Sequence, residues 1–118
     1  MARPLILSAG TVISTPFFER LAPARAAGFS GVSMFASDYE AMEAAGIGAA
    51  EIRARVADAG LVISEVELVS NWLPGPARNA NHPRGLVALL ERLTPEGVIA
   101  IAAAVGAKGV SAGDMFDI

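Results

Sequence analysis

The chain contains no cysteine, and only one histidine, one tryptophan and one tyrosine. Without cysteine there can be no disulfide, no thiolate zinc site and no cysteine nucleophile. No apolar run reaches the roughly 18 residues that a membrane span needs. No basic segment followed by an apolar core and a cleavage site marks a signal peptide. Together these absences predict a cytoplasmic protein with no membrane partner. Positive charge is not in excess either: 9 Lys and Arg stand against 12 Asp and Glu, for a net charge of −3. That leaves no electrostatic footprint for nucleic acid. Neither a P-loop nor an H-E-x-x-H pair is present. Gly46 and Gly48 invite a nucleotide-loop reading, but a helix precedes them and Glu51 stands where the third glycine belongs.

What is present is apolar and small. Of 118 residues, 53% are hydrophobic, and mean hydropathy is +0.50, with alanine supplying much of it. This is enough for one compact domain, residues 1–118. The stretch from Gly60 to Leu68 is the most informative. A helix-stopping glycine leads into a short Val- and Ile-rich run, read as a buried strand, with Glu65 and Glu67 two residues apart at its far end. Strict alternation puts both acids on the face of Leu61 and Ile63. Carboxylates on a buried face require a polar cavity, a metal or a hydrogen-bonding ligand.

The same unit recurs. Ala27-Gly28-Phe29 leads to Val32-Ser33, Ala59-Gly60-Leu61 to Ile63-Ser64, and Val105-Gly106-Ala107 to Val110-Ser111, while an opening strand ends in Leu7-Ser8. The predicted strands cover residues 4–8, 29–35, 61–68 and 108–112. Between them, helices are predicted over 16–27 (capped by Thr15, with Pro23 as an interior kink), 39–45 (capped by Ser37 and Asp38), 49–59, 86–93 and 95–105 (opened by Thr94-Pro95). Residues 71–85 read as a loop. Helical and strand periods alternating in this way predict an α/β fold of four successive βα units with parallel strands. That is either half of an eight-stranded barrel or a small open sheet.

A family likeness runs along this framework. Leu7-Ser8-Ala9-Gly10-Thr11, the segment from Ala27 to Ser33, Asp38-Tyr39, the segment from Gly46 to Leu61, the segment from Val62 to Glu67 and the segment from Val105 to Val110 resemble the N-terminal half of the xylose-isomerase-like TIM barrels. That superfamily comprises sugar-phosphate isomerases and epimerases together with the endonuclease IV (AP endonuclease family 2) branch. The resemblance implies half of a (β/α)8 TIM barrel, with sites at the C-terminal ends of its strands. It also implies a sugar or sugar-phosphate substrate and a metal-assisted proton shift beside a carbonyl. The divalent metal it implies, Mn, Mg or Zn, is held by Glu, Asp and His of the second half, and none of those ligands has a counterpart here. The catalytic residues are therefore unassigned, and this chain alone is expected to be inactive. His82 as sole histidine argues against the endonuclease branch.

The candidate substrate-binding residues are Glu65, Glu67, Trp72 and Asp114. Glu65 and Glu67 could accept hydrogen bonds from sugar hydroxyls, or lie solvated at a rim, or pair with arginine. Trp72 could stack on a sugar ring or cap the core. Asp114 could bind a hydroxyl or cap a helix. Arg78, His82 and Arg84 suit either an anion or an ordinary solvated loop. Ser8, Ser33, Ser64 and Ser111 occupy equivalent strand positions and are read as small polar linings, since no triad or G-x-S-x-G elbow accompanies them. Three arrangements remain open: a piece of a longer enzyme, two copies closing one barrel as a homodimer, or an open parallel sheet acting as a non-catalytic binding or interaction module.

Overall fold

The computed structural model describes residues 3–70, 72 and 84–113. Four strands alternate with helices: β1 (Ile6–Leu7), α1 (Leu21–Ala26), β2 (Gly31–Phe35), α2 (Ala36–Ala44), α3 (Ala49–Asp58), β3 (Val62–Val69), α4 (Arg84–Arg92), α5 (Pro95–Val105) and β4 (Val110–Ala112). All pairings are parallel, in the order β1-β2-β3-β4. The expected α/β class and sequential parallel strands are observed.

The helix ends follow their local chemistry. Thr94 caps α5 by accepting a hydrogen bond from Gly97 N at 3.1 Å, and Pro95 occupies the first turn. Gly106 ends α5 in the left-handed region with φ 73°. The first helix differs from expectation. Residues Phe17–Arg20 form a 3-10 turn, and α1 begins only at Leu21. Thr15 does not cap it; Pro16 holds the cap position without a side-chain bond. Pro23 therefore lies in the first turn of α1 and produces no interior kink, because a first-turn N–H has no intrahelical partner to lose. Helix α2 likewise begins at Ala36, three residues earlier than expected, which puts Asp38 inside its first turn.

One core joins the sheet to its helices. Val32, Met34, Ile63, Val66 and Val69 of the strands pack with Leu21, Met42, Ile52, Val56, Val98 and Val105 of the helices. Right-handed crossovers between sequential parallel strands carry every helix to the same side. The opposite face carries no α-helix among the described residues: Ile6 and Val62 remain 38% and 41% exposed there, while the 3-10 turn Ala9–Val12 and Glu67 close over Ser33, which is 1% exposed. No helix of the described residues is long and apolar enough to cross a membrane.

Strand register determines what that bare face carries. Val32 pairs with Ile63, but Met34 pairs with Val66, so Ser64 and Glu65 of β3 stand against Ser33 alone. A second irregularity follows: Val66 pairs with Val110 and Val69 with Ala112, so Glu67 and Leu68 stand against Ser111. The Glu67–Leu68 peptide is cis. The buried β3 positions thus fall at Ile63, Val66 and Val69, every third residue. The expectation that Glu65 and Glu67 share the face of Leu61 and Ile63 is corrected here. The extra residue turns both acids away from the helices.

Gly31 lies where a side chain has no room. A Cβ there would stand 2.8 Å from Ile6 Cδ1 and 2.9 Å from the Val62 carbonyl oxygen. The backbone oxygen cannot swing aside as a side chain can. Gly31→Ala is expected to destabilise the fold by about 1–3 kcal/mol, read as a lower denaturant midpoint with an unchanged slope. An unchanged midpoint would show that the sheet opens at this point without cost.

Candidate functional site

The two glutamates lie on the bare face toward the C-terminal end of β3. Ser33 alternates with Val32 and Met34, which face the helices, so it points to the opposite side. From there Ser33 Oγ donates to Glu67 Oε2 at 2.9 Å and accepts from Ala9 N at 2.8 Å. Ser111 lies between Val110 and Ala112, the register partners of the buried Val66 and Val69, and its Oγ donates to Glu65 Oε2 at 2.7 Å. Each acid is thus oriented by a serine from the neighbouring strand, Glu67 from β2 and Glu65 from β4. Both glutamates are half-buried, and neither forms an ion pair with an arginine among the described residues. Each keeps its Oε1 without a protein partner among the described residues.

The serines therefore do more than line the face. Their equivalence was visible in the repeat, but their pairing with the glutamates depends on the register shifts, which strict alternation does not supply. Ser64 stays apart from the acids, its Oγ donating to Val32 O at 3.4 Å. Ser8 accepts from Gly10 N at 3.3 Å and caps the 3-10 turn Ala9–Val12.

A buried guanidinium fixes the turns above this face. Arg20 is 3% exposed. Its Nε donates to Thr15 O at 2.7 Å, and its two terminal nitrogens donate to the Asp38 carboxylate at 2.9 and 3.1 Å. Asp38 also accepts from Phe35 N at 3.0 Å, and Phe35 is the register partner of Glu67. One bidentate pair therefore ties the segment after β1 to the start of α2. Nothing in the sequence pattern marks Arg20 for this role; it follows Phe17 and Phe18 in a stretch that reads simply as helix.

Trp72 is 47% exposed, and its Nε1 donates to Gly113 O at 3.3 Å, joining the ends of β3 and β4. It caps no core. Ser70, just after β3, is 4% exposed, and its Oγ has no hydrogen-bond partner among the described residues. Asp114, His82 and Arg78 lie outside the described residues. Arg84 opens α4. Among the described residues no group of three or more His, Asp or Glu is placed to hold a metal ion. Catalytic zinc sites use three protein ligands, so Glu65 and Glu67 do not make such a centre by themselves.

The face can accept hydrogen bonds. An ionised carboxylate is acceptor-only, and the two open Oε1 atoms suit a ligand rich in hydroxyl donors. No family model matches this chain, and no curated protein matches it in sequence.

The serines separate cleanly by experiment. Ser33→Ala leaves both the Ala9 amide and a Glu67 oxygen unpaired, and is expected to cost about 1–3 kcal/mol. Ser70→Ala removes a hydroxyl that lacks a partner among the described residues, and is expected to be neutral or slightly stabilising. Urea denaturation of the two variants checks both. An equal loss in Ser70→Ala would mean that its hydroxyl is bonded in solution.

Proposed function

We propose that this chain binds a sugar or sugar phosphate at the C-terminal ends of its strands, as half of a (β/α)8-type barrel of the isomerase and epimerase kind. The observation that carries this reading is the pair of serine-oriented glutamates on the uncovered face, each with one oxygen open. In this reading Glu65 and Glu67 accept from substrate hydroxyls. Trp72 stands at the rim as an apolar surface for a ring face. The implied reaction is a proton shift beside a carbonyl, and a divalent metal would supply the electrophile. The ligands for that metal are not among the residues described, so no step is assigned to it here. Asp114 keeps its place as a candidate on sequence grounds alone.

A second reading has its own support. Ile6 and Val62 expose apolar surface on the same bare face, which suits a non-catalytic module whose sheet meets another protein surface. A separate arrangement is a homodimer in which two copies close one barrel, β4 of one pairing with β1 of the other. Solution mass by light scattering separates the forms: a dimer supports pairing, and a monodisperse monomer counts against it.

The sugar reading is tested by isothermal titration of the purified chain against a panel of aldoses, ketoses and their phosphates. Saturable binding is expected. Glu65→Gln and Glu67→Gln are each expected to weaken it by about tenfold or more, the loss appropriate to a hydrogen bond on a charged acceptor. Absence of saturable binding across the panel, or equal affinity in both variants, would overturn the proposal.

A further inference from the structure

A cleft of about 220 Å³ opens at the other end of the sheet from the glutamates. Its lining includes Arg53 and Val56 of α3, Leu61 and Ile63 at the start of β3, Val105 of α5, and Lys108. Val56, Leu61, Ile63 and Val105 are each at most 4% exposed and close its base as an apolar floor, and Val62, 41% exposed, supplies the accessible apolar surface beside them. Arg53 and Lys108 are exposed at its margin. Neither has an ion-pair or hydrogen-bond partner from its side chain among the described residues. The stem of Arg53 lies against Gly106, where a Cβ would stand 3.3 Å from its Cδ. Because Gly106 has no side chain, the guanidinium stem can lie along the cleft wall.

We propose that this cleft binds a small apolar carboxylate, with a single ring or branched chain on the floor and the carboxylate between Arg53 and Lys108. The volume sets the size. It falls below the roughly 300–1,000 Å³ of pockets that take drug-sized ligands, so one ring fills it. The charges set the polar end: a planar guanidinium matches a carboxylate in two parallel hydrogen bonds, and the ammonium adds a second donor. A bare inorganic anion is not the best occupant, since it would leave the 41% exposed side chain of Val62 in water. The cleft is independent of the glutamate face. Lys108 N bonds to Ile63 O at the beginning of β3, whereas both acids lie beyond Ser64.

The competing role for these cations is electrostatic only. Helices α3 and α5 both end here, and basic groups offset the partial negative charge of helix C-termini. That role affects stability and creates no ligand site.

The test is an amide-resolved NMR titration of the whole chain with sodium benzoate, using benzamide as the neutral isostere. Saturable shifts are expected at the amides of Ala57, Gly106 and Lys108. Benzamide is expected to bind about tenfold more weakly or less tightly still, as is benzoate to the Arg53→Gln, Lys108→Gln double variant. Shifts that never saturate, or that centre on Ile6 and Glu67 instead, would overturn the proposal, as would equal binding of benzoate and benzamide. The comparison of the two probes on the unaltered chain stands even if the double variant fails to fold.

Discussion

A strand with strict two-residue alternation cannot send Ile63, Val66 and Val69 to one face, yet all three are buried in the same core. The structure resolves this by setting two residues of β3 against one of β2, and then two against one of β4. The rest of the molecule depends on that displacement. It keeps β3 apolar toward the helices along its whole length. It also releases Glu65 and Glu67 to the uncovered side, where carboxylates retain water on one flank and do not incur the cost of full desolvation. Without the first irregularity, Glu65 would point into the helix-side core.

The remaining polar groups near the site follow from this placement. Each half-buried carboxylate needs a donor, and the nearest side chains on the same face are serines of the flanking strands. A serine is short enough to reach a neighbouring strand's glutamate without displacing the ladder, and its single O–H fixes one oxygen while leaving the other open. Arg20 performs the equivalent service one layer away. Buried arginine is tolerated only when its donors are satisfied, and here Thr15 and Asp38 take three of them. The turn after β1 and the start of α2 are thereby held together by a pair whose charges are compensated.

Much of the architecture was legible in the residues. Gly28, Gly60 and Gly106 all adopt positive φ where the sequence placed helix ends. Thr94-Pro95 opens a helix as its chemistry dictates, and α3 and α5 lie within about one residue of their expected bounds. What escaped depends on contacts between distant segments. The face of the glutamates turned on register, a property of two strands together. The start of α1 turned on Pro23, whose local preference is met by beginning the helix late. The pairing of Ser33 and Ser111 with the acids, and of Arg20 with Asp38, spans 18 to 46 positions in the chain, beyond the reach of any local pattern.

Trp72 is the only tryptophan, and it is tethered to Gly113 at the end of the sheet that carries the acids. The cleft beside Arg53 lies at the opposite end. The molecule therefore has its one tryptophan at one of its two candidate sites and none at the other. Its emission reports on the rim of the glutamate face, where a half-exposed indole responds to a change in its surroundings, and is blind to a ligand between α3 and α5. The two ends of the sheet are optically distinct without any label.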